Sequence, residues 1–97
     1  MKVLYALVGQ HHRGMGKFVH HQPERTPVTL KRDPENPYDK NAVAVWIGES
    51  HVGFVKATQA LGLATVMDRE GVAEIAGVLL DNAGAYPQIE VEERDPT

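Results

Sequence analysis

The 97-residue chain contains no cysteine, which excludes a disulfide framework, a thiolate metal site and a cysteine nucleophile. Its one serine, Ser50, falls in the turn-like segment Gly48-Glu-Ser50, a poor place for the nucleophile of a catalytic triad. Long hydrophobic runs are missing too. The most apolar stretches, Ala42–Ile47 and Val72–Leu80, are under half of the ~20 residues that a membrane helix needs. Met1-Lys2 leads directly into a strand-like run of seven residues, which argues against a signal peptide and predicts an intracellular, cytoplasmic domain. An excess of positive charge is also lacking, since the formal net charge is −3, unlike that of ordinary nucleic-acid binders.

What is present is an ordinary folding composition, 42% hydrophobic and 24% charged, enough for one domain. Residues 1–97 are expected to form a single unit, with a core over about 3–80 and a loop, edge strand and acidic tail over 81–97. So small a domain spends nearly all its apolar residues on one core, which favours a surface groove over a deep active site. The net charge hides a gradient. Residues 1–32 hold six basic side chains (Lys2, Arg13, Lys17, Arg25, Lys31, Arg32) against the single acid Glu24, together with four of the five histidines. Residues 33–97 hold four basic and twelve acidic side chains. Such an asymmetry can direct an anionic partner to one face.

Periodicity predicts a strand buried on both faces over Lys2–Val8, then a polar loop from Gly9 through Gly14-Met-Gly16, then a short strand over Lys17–His21. Pro27–Lys31 alternates as a strand, and Asp33-Pro-Glu-Asn-Pro-Tyr-Asp39 is turn chemistry throughout. Asn41–Ile47 is the clearest strand, with Val43, Val45 and Ile47 on one face and Ala42, Ala44 and Trp46 on the other. A tight connection at Gly48–Ser50 returns it as His51–Val55. Ala60, Leu63, Ala64 and Met67 fall at helical spacing, and Gly71 can end that helix. Val72–Leu80 and Pro87–Glu92 read as the last strands, with Asp81–Tyr86 a loop and the final strand at an edge. Five or six strands with one helix inserted after the fourth suit a small, mainly β, partly open barrel of the OB-like or SH3-like kind. Phe18 and Tyr86 fit either the core or the surface.

The glycines after the first strand do not make a phosphate loop. Met15 stands where the Walker lysine belongs, Phe18 follows Lys17 in place of a hydroxyl, and no helical pattern follows. The pairs His11-His12 and His20-His21 are adjacent residues, which point apart on a strand. No cysteine is available as a third ligand, and although Glu24 and His51 are further candidates, solvated histidines are expected rather than a metal site. Neither a cofactor nor an enzymatic activity is expected.

Two bases, Lys31 and Arg32, end a strand before the proline turn that presents Tyr38 and Asp39. In one reading the exposed Tyr38 ring is a stacking platform for a base. Asp39 then accepts a hydrogen bond from a hydroxyl at a strand end, where no phosphate follows. In the other, Asp39 and Asn36 simply cap the turn and Tyr38 packs on the barrel.

Val8-Gly9, the run Leu30-Lys-Arg-Asp-Pro-Glu-Asn-Pro-Tyr-Asp-Lys-Asn-Ala-Val-Ala-Val45, then Val52-Gly-Phe-Val-Lys56 and the helix over Ala60–Asp68 together resemble a HIRAN domain. The likeness runs from about Val3 to Leu80, and its DPxNPYDxNA core is specific. The module occurs at the N-terminus of Swi/Snf-type fork-remodelling helicases, and as stand-alone bacterial or phage members. The resemblance implies an OB-like barrel that captures the 3′-hydroxyl end of single-stranded DNA. It implies that Tyr38 stacks on the terminal base, Asp39 accepts from the 3′-hydroxyl and Asn36 shapes the pocket. Phe54 would lie against the bases, and Lys56 falls in the segment that supplies a phosphate-contacting lysine. His11 and His12 stand where end-binding members have an arginine and an aromatic ring, with Arg13 and Lys17 able to compensate. The partners implied are a single-stranded 3′ end and a helicase or nuclease. The competing expectation is a protein-interaction module, favoured by the histidine departure and the acidic Glu90–Asp95 segment.

Overall fold

The computed structural model describes residues 1–81 and 86–92. Six strands and two helices follow in the order β1 (Lys2–Val8), α1 (Gly16–His20), β2 (Thr26–Arg32), β3 (Val43–Ile47), β4 (Ser50–Val55), α2 (Ala57–Glu70), β5 (Glu74–Asp81) and β6 (Gln88–Glu92). The strands form an antiparallel closed barrel in the order β1-β4-β3-β2-β5-β6. The expected small, mainly β barrel with one main helix after the fourth strand is therefore what the chain forms.

Alternation explains the core. Val28 and Leu30 of β2, Val43 and Val45 of β3, and Ile89 and Val91 of β6 point inward and are buried. Val43, Val45 and Leu30 are 0% exposed, and burying such a side chain fully contributes about 1.5–3 kcal/mol. On α2 the spacing i, i+3, i+4, i+7 puts Ala60, Leu63, Ala64 and Met67 on one buried face. Gly71 ends the helix in a left-handed conformation, φ 67 and ψ 31, which glycine adopts without strain. No helix of the described residues is long and apolar enough to cross a membrane.

Four details depart from the sequence reading. β1 buries only Tyr5 and Leu7, and Leu4 on its other face is exposed. Lys17–His21 is largely α1 rather than a strand. Val19 is buried four residues after Met15, which packs against the core, and the Val19 amide donates to the Met15 carbonyl. That helical spacing decided the element over a two-residue alternation. β6 is not an edge, because it pairs with both β1 and β5. The barrel is closed rather than partly open, though its β1–β4 seam is short, with only Leu7↔Val55 and Val8↔Phe54 in register. Beyond that seam α2 takes over: Gln59 accepts from the Ala6 amide at 2.7 Å and donates to the Leu4 carbonyl at 3.3 Å. The Lys56 amide donates to the Ala6 carbonyl at 2.9 Å. The helix thus satisfies β1 backbone groups that a longer strand pairing would have used. Residues 82–85 of the expected loop, and 93–95 of the acidic segment, lie outside the described residues.

Candidate functional site

The β2–β3 connection is a self-bonded turn. Asn36 Oδ1 accepts from the backbone amides of Tyr38 (2.9 Å) and Asp39 (3.2 Å), while its Nδ2 donates to Asp33 Oδ2 (3.1 Å). This is the Asx geometry that short amide side chains favour. The Asn41 amide donates to Asp39 Oδ1 (2.8 Å) and the Ala42 amide to the Asp39 carbonyl (3.1 Å). Asp39 Oδ2 accepts no hydrogen bond among the described residues. With the turn closed on itself, Tyr38 has nothing to pack on and is 95% exposed. Tyr38 is therefore not packed on the barrel, although Asn36 and Asp39 do cap the turn.

The turn is tied to the barrel by Arg32, the last residue of β2, whose side chain is only 9% exposed. Its guanidinium donates to the Ala42 carbonyl (2.8 Å), the Lys40 carbonyl (3.0 Å) and both carboxylate oxygens of Asp68 on α2 (2.9 and 3.1 Å). That hydrogen-bonded ion pair raises the Arg32 pKa and holds the Asp68 carboxyl below its usual range.

Beside the turn, a row of side chains crosses the outer face of β2, β3 and β4. Lys31 Nζ lies 4.4 Å from the Trp46 ring centre. Trp46 stacks on His51 (5.0 Å, 12° between planes), and His51 meets Phe54 edge to face (4.9 Å, 78°). Residues three apart on a regular strand face opposite ways, yet His51 and Phe54 share a face. The register shifts between Val45 and Trp46: Val45 pairs with Gly53 and Trp46 with His51, so Val52 is the extra residue. Such a bulge re-aims side chains.

His51 connects the neighbourhood. Its Nε2 donates to the Gly53 carbonyl (3.0 Å), and Arg13 Nε donates to the His51 carbonyl (3.0 Å). Burial first, and the Arg13 charge second, lower the His51 pKa from its ordinary value. The Gly53 bond and the charge of Asp33 oppose them. Lys31, whose ammonium lies over Trp46, stands two residues before Asp33, so the row begins beside the turn.

The other expected site residues are less closely gathered. His11, His12 and Arg13 are exposed in the loop before α1, and the His11 ring lies against Gly16, 2.5 Å from where a Cβ would stand. Lys56 is exposed at the start of α2, its ammonium 5.5 Å from the Tyr86 ring centre. No hydrogen bond or ring contact among the described residues joins the turn directly to Phe54 or Lys56. No three His, Asp or Glu side chains among the described residues converge in metal-ligating range. Phe18 and Tyr86, undecided from sequence, are both surface residues, 38% and 58% exposed.

Folding also redistributes the charge gradient. Lys2 and Arg25 both pair with Glu90 (3.7 and 3.8 Å), Lys31 pairs with Glu74 (3.5 Å) and Arg32 with Asp68. Four of the six N-terminal cations thus meet acids from the second half. Arg13 and Lys17 make no ion pair among the described residues, nor does Lys56. Sequence patterning gives Lys31 only as a base before the turn, assigns Trp46 no site role, and leaves His51 a further candidate for a metal site that is not expected. A lone tryptophan on the face that the clearest strand otherwise fills with Ala42 and Ala44 was the available signal, whereas the bulge left none.

A family model for the HIRAN domain matches residues 3–93. The human helicase-like transcription factor is 47% identical over 53 residues, and the rabbit protein 45% over 53. Each match takes in 54% of this chain and 5% of the relative. The crystal structure of the HIRAN domain of human HLTF superposes with a TM-score of 0.65 at 28% identity, covering 95% of this chain and 77% of that one. A Lactobacillus plantarum protein superposes with a TM-score of 0.71, covering 95% of this chain and 100% of the other. At 21% identity the latter is a likeness of fold alone. With a family model matched along nearly the whole chain, the protein belongs to the HIRAN domain family.

Proposed function

We propose that this chain is a non-catalytic nucleic-acid-binding module that captures the 3′-hydroxyl end of single-stranded DNA in repair or replication. The observation that carries the reading is the Asn36–Asp39 turn. Its own bonds are local, Arg32 ties it to the barrel, Tyr38 stands 95% exposed, and Asp39 keeps one carboxylate oxygen without a hydrogen bond among the described residues.

A terminal base stacks on Tyr38, with the next bases against Phe54, each contact contributing about 1–3 kcal/mol with little sequence preference. Asp39 Oδ2 accepts from the 3′ O–H, and an internal nucleotide or a 3′-phosphate brings an anion against that carboxylate instead. Arg13, Lys17 and Lys56 hold the last phosphates, with His11 and His12 beside them, so few counterions are released and the salt slope is shallow. The matched relatives are named helicase-like, which fits delivery of a helicase or nuclease to DNA ends.

The test is fluorescence anisotropy with a short oligothymidine carrying either a 3′-hydroxyl or a 3′-phosphate, at low salt. The hydroxyl end is expected to bind more tightly, and Asp39→Ala to abolish the preference. Equal affinity for the two ends in the wild type refutes end recognition. Absence of binding to both supports a protein-interaction module, which the pairing of Lys2, Arg25, Lys31 and Arg32 with acids favours.

A further inference from the structure

We infer that Arg32 and Asp68 are positioning residues for the proline turn, so that helix α2 sets the orientation of the Asp39 carboxylate. The functional half of this inference rests on the end-recognition reading above. The bonding runs in one continuous line. Asp68 on α2 takes two guanidinium hydrogens of Arg32, and Arg32 gives its remaining bonds to the carbonyls of Lys40 and Ala42. The next amides, those of Asn41 and Ala42, donate to Asp39 Oδ1 and to the Asp39 carbonyl. At the other end of the turn, the Asp33 amide donates to the Ala42 carbonyl (3.0 Å), the same oxygen that Arg32 Nη1 reaches.

A proline-rich connection of this length has no strand pairing of its own. A carboxylate that must meet a hydroxyl within hydrogen-bond distance loses its value when it is displaced by about 1 Å. Arginine suits the task because its planar fork can bond four acceptors in fixed directions, whereas a lysine ammonium is a single point charge on a flexible stem. The residues involved come from the end of β2, the turn and the last turns of α2, and Arg32 is 36 positions from Asp68. α2 also holds β1 through Gln59. One helix therefore fixes both the β1 side of the barrel and the turn.

The experiment compares wild type, Arg32→Lys, Asp68→Asn and Asp68→Glu by amide hydrogen exchange in DNA-free protein. The same four proteins are then measured for the affinity ratio between 3′-hydroxyl and 3′-phosphate oligothymidine. Arg32→Lys and Asp68→Asn are expected to speed exchange at Asn41 and Ala42 by about tenfold, with barrel amides such as Val45 unchanged. The same variants should reduce the affinity ratio at least about fivefold, while Asp68→Glu, which keeps the carboxylate, retains most of it. The Asp68 side chain is 59% exposed, so its substitution leaves the core intact. Unchanged exchange at Asn41 and Ala42 in both variants overturns the pin. Faster exchange with an unchanged ratio overturns its role in recognition. Equal wild-type affinity for the two ends overturns end recognition and the functional half of this inference, while the exchange data still decide the pin.

Discussion

Gly53 lies where β4 meets β1. A methyl group added there would stand 2.5 Å from the Val8 carbonyl oxygen, 2.9 Å from Leu7 Cδ1 and 3.3 Å from the Gln10 amide nitrogen. Two of those three atoms are backbone, and Leu7 is 0% exposed with no room to rotate away. Relief requires β1 to move off β4 by roughly half an ångström or more, at the barrel's shortest seam. Overpacking of this kind costs about 1–3 kcal/mol, so Gly53→Ala is expected to lose about 2 kcal/mol of the 5–15 kcal/mol typical of a domain. The same chemical change at Gly62, an exposed position inside α2 with nothing within 4 Å of the added carbon, should stabilise by about 0.5–1 kcal/mol through helix propensity. Urea unfolding followed by the fluorescence of Trp46, the single tryptophan, reads both. Midpoints should fall by roughly 1–2 M for Gly53→Ala and rise slightly for Gly62→Ala. A loss below about 0.5 kcal/mol at Gly53, the range of an ordinary surface change, would refute the close approach. The Gly53 variant should also weaken the Arg13–His51 contact, because the loop bearing Arg13 follows directly from β1.

Tyr38→Ala should leave stability within about 0.5 kcal/mol, since the ring is 95% exposed, but weaken oligothymidine binding about tenfold. Equal affinity of the variant and wild type in anisotropy titrations would remove the stacking role. His51 titrates below its ordinary value of 6.5 in the fold, so as pH falls the unfolded chain takes up that proton first. Its contribution to stability is present at neutral pH, declines below about 6.5 and levels off below the folded value. His51→Gln should flatten that part of the decline between pH 7.5 and 5 in urea unfolding, and parallel curves for the two proteins would contradict it.

Local patterns decided much of this molecule. The alternation of Val43, Val45 and Ile47, the i, i+3, i+4, i+7 spacing from Ala60 to Met67 and the αL glycine at 71 each follow from the geometry of a single element. The Asn36–Asp39 turn was legible for the same reason, because its bonds run between residues two or three positions apart. Its functional reading came from resemblance, as no periodicity distinguishes a hydroxyl acceptor from a cap. α1 escaped because five residues carry too little periodicity, and the burial of Val19 depends on a core assembled from distant strands. Closure of the barrel, the β4 bulge that turns His51 towards Phe54, and the pairing of basic residues with acids up to 88 positions away are non-local. So is the bond between Arg32 and Asp68. A chain encodes such contacts only through its packed fold, in which residues far apart in sequence come within hydrogen-bond distance.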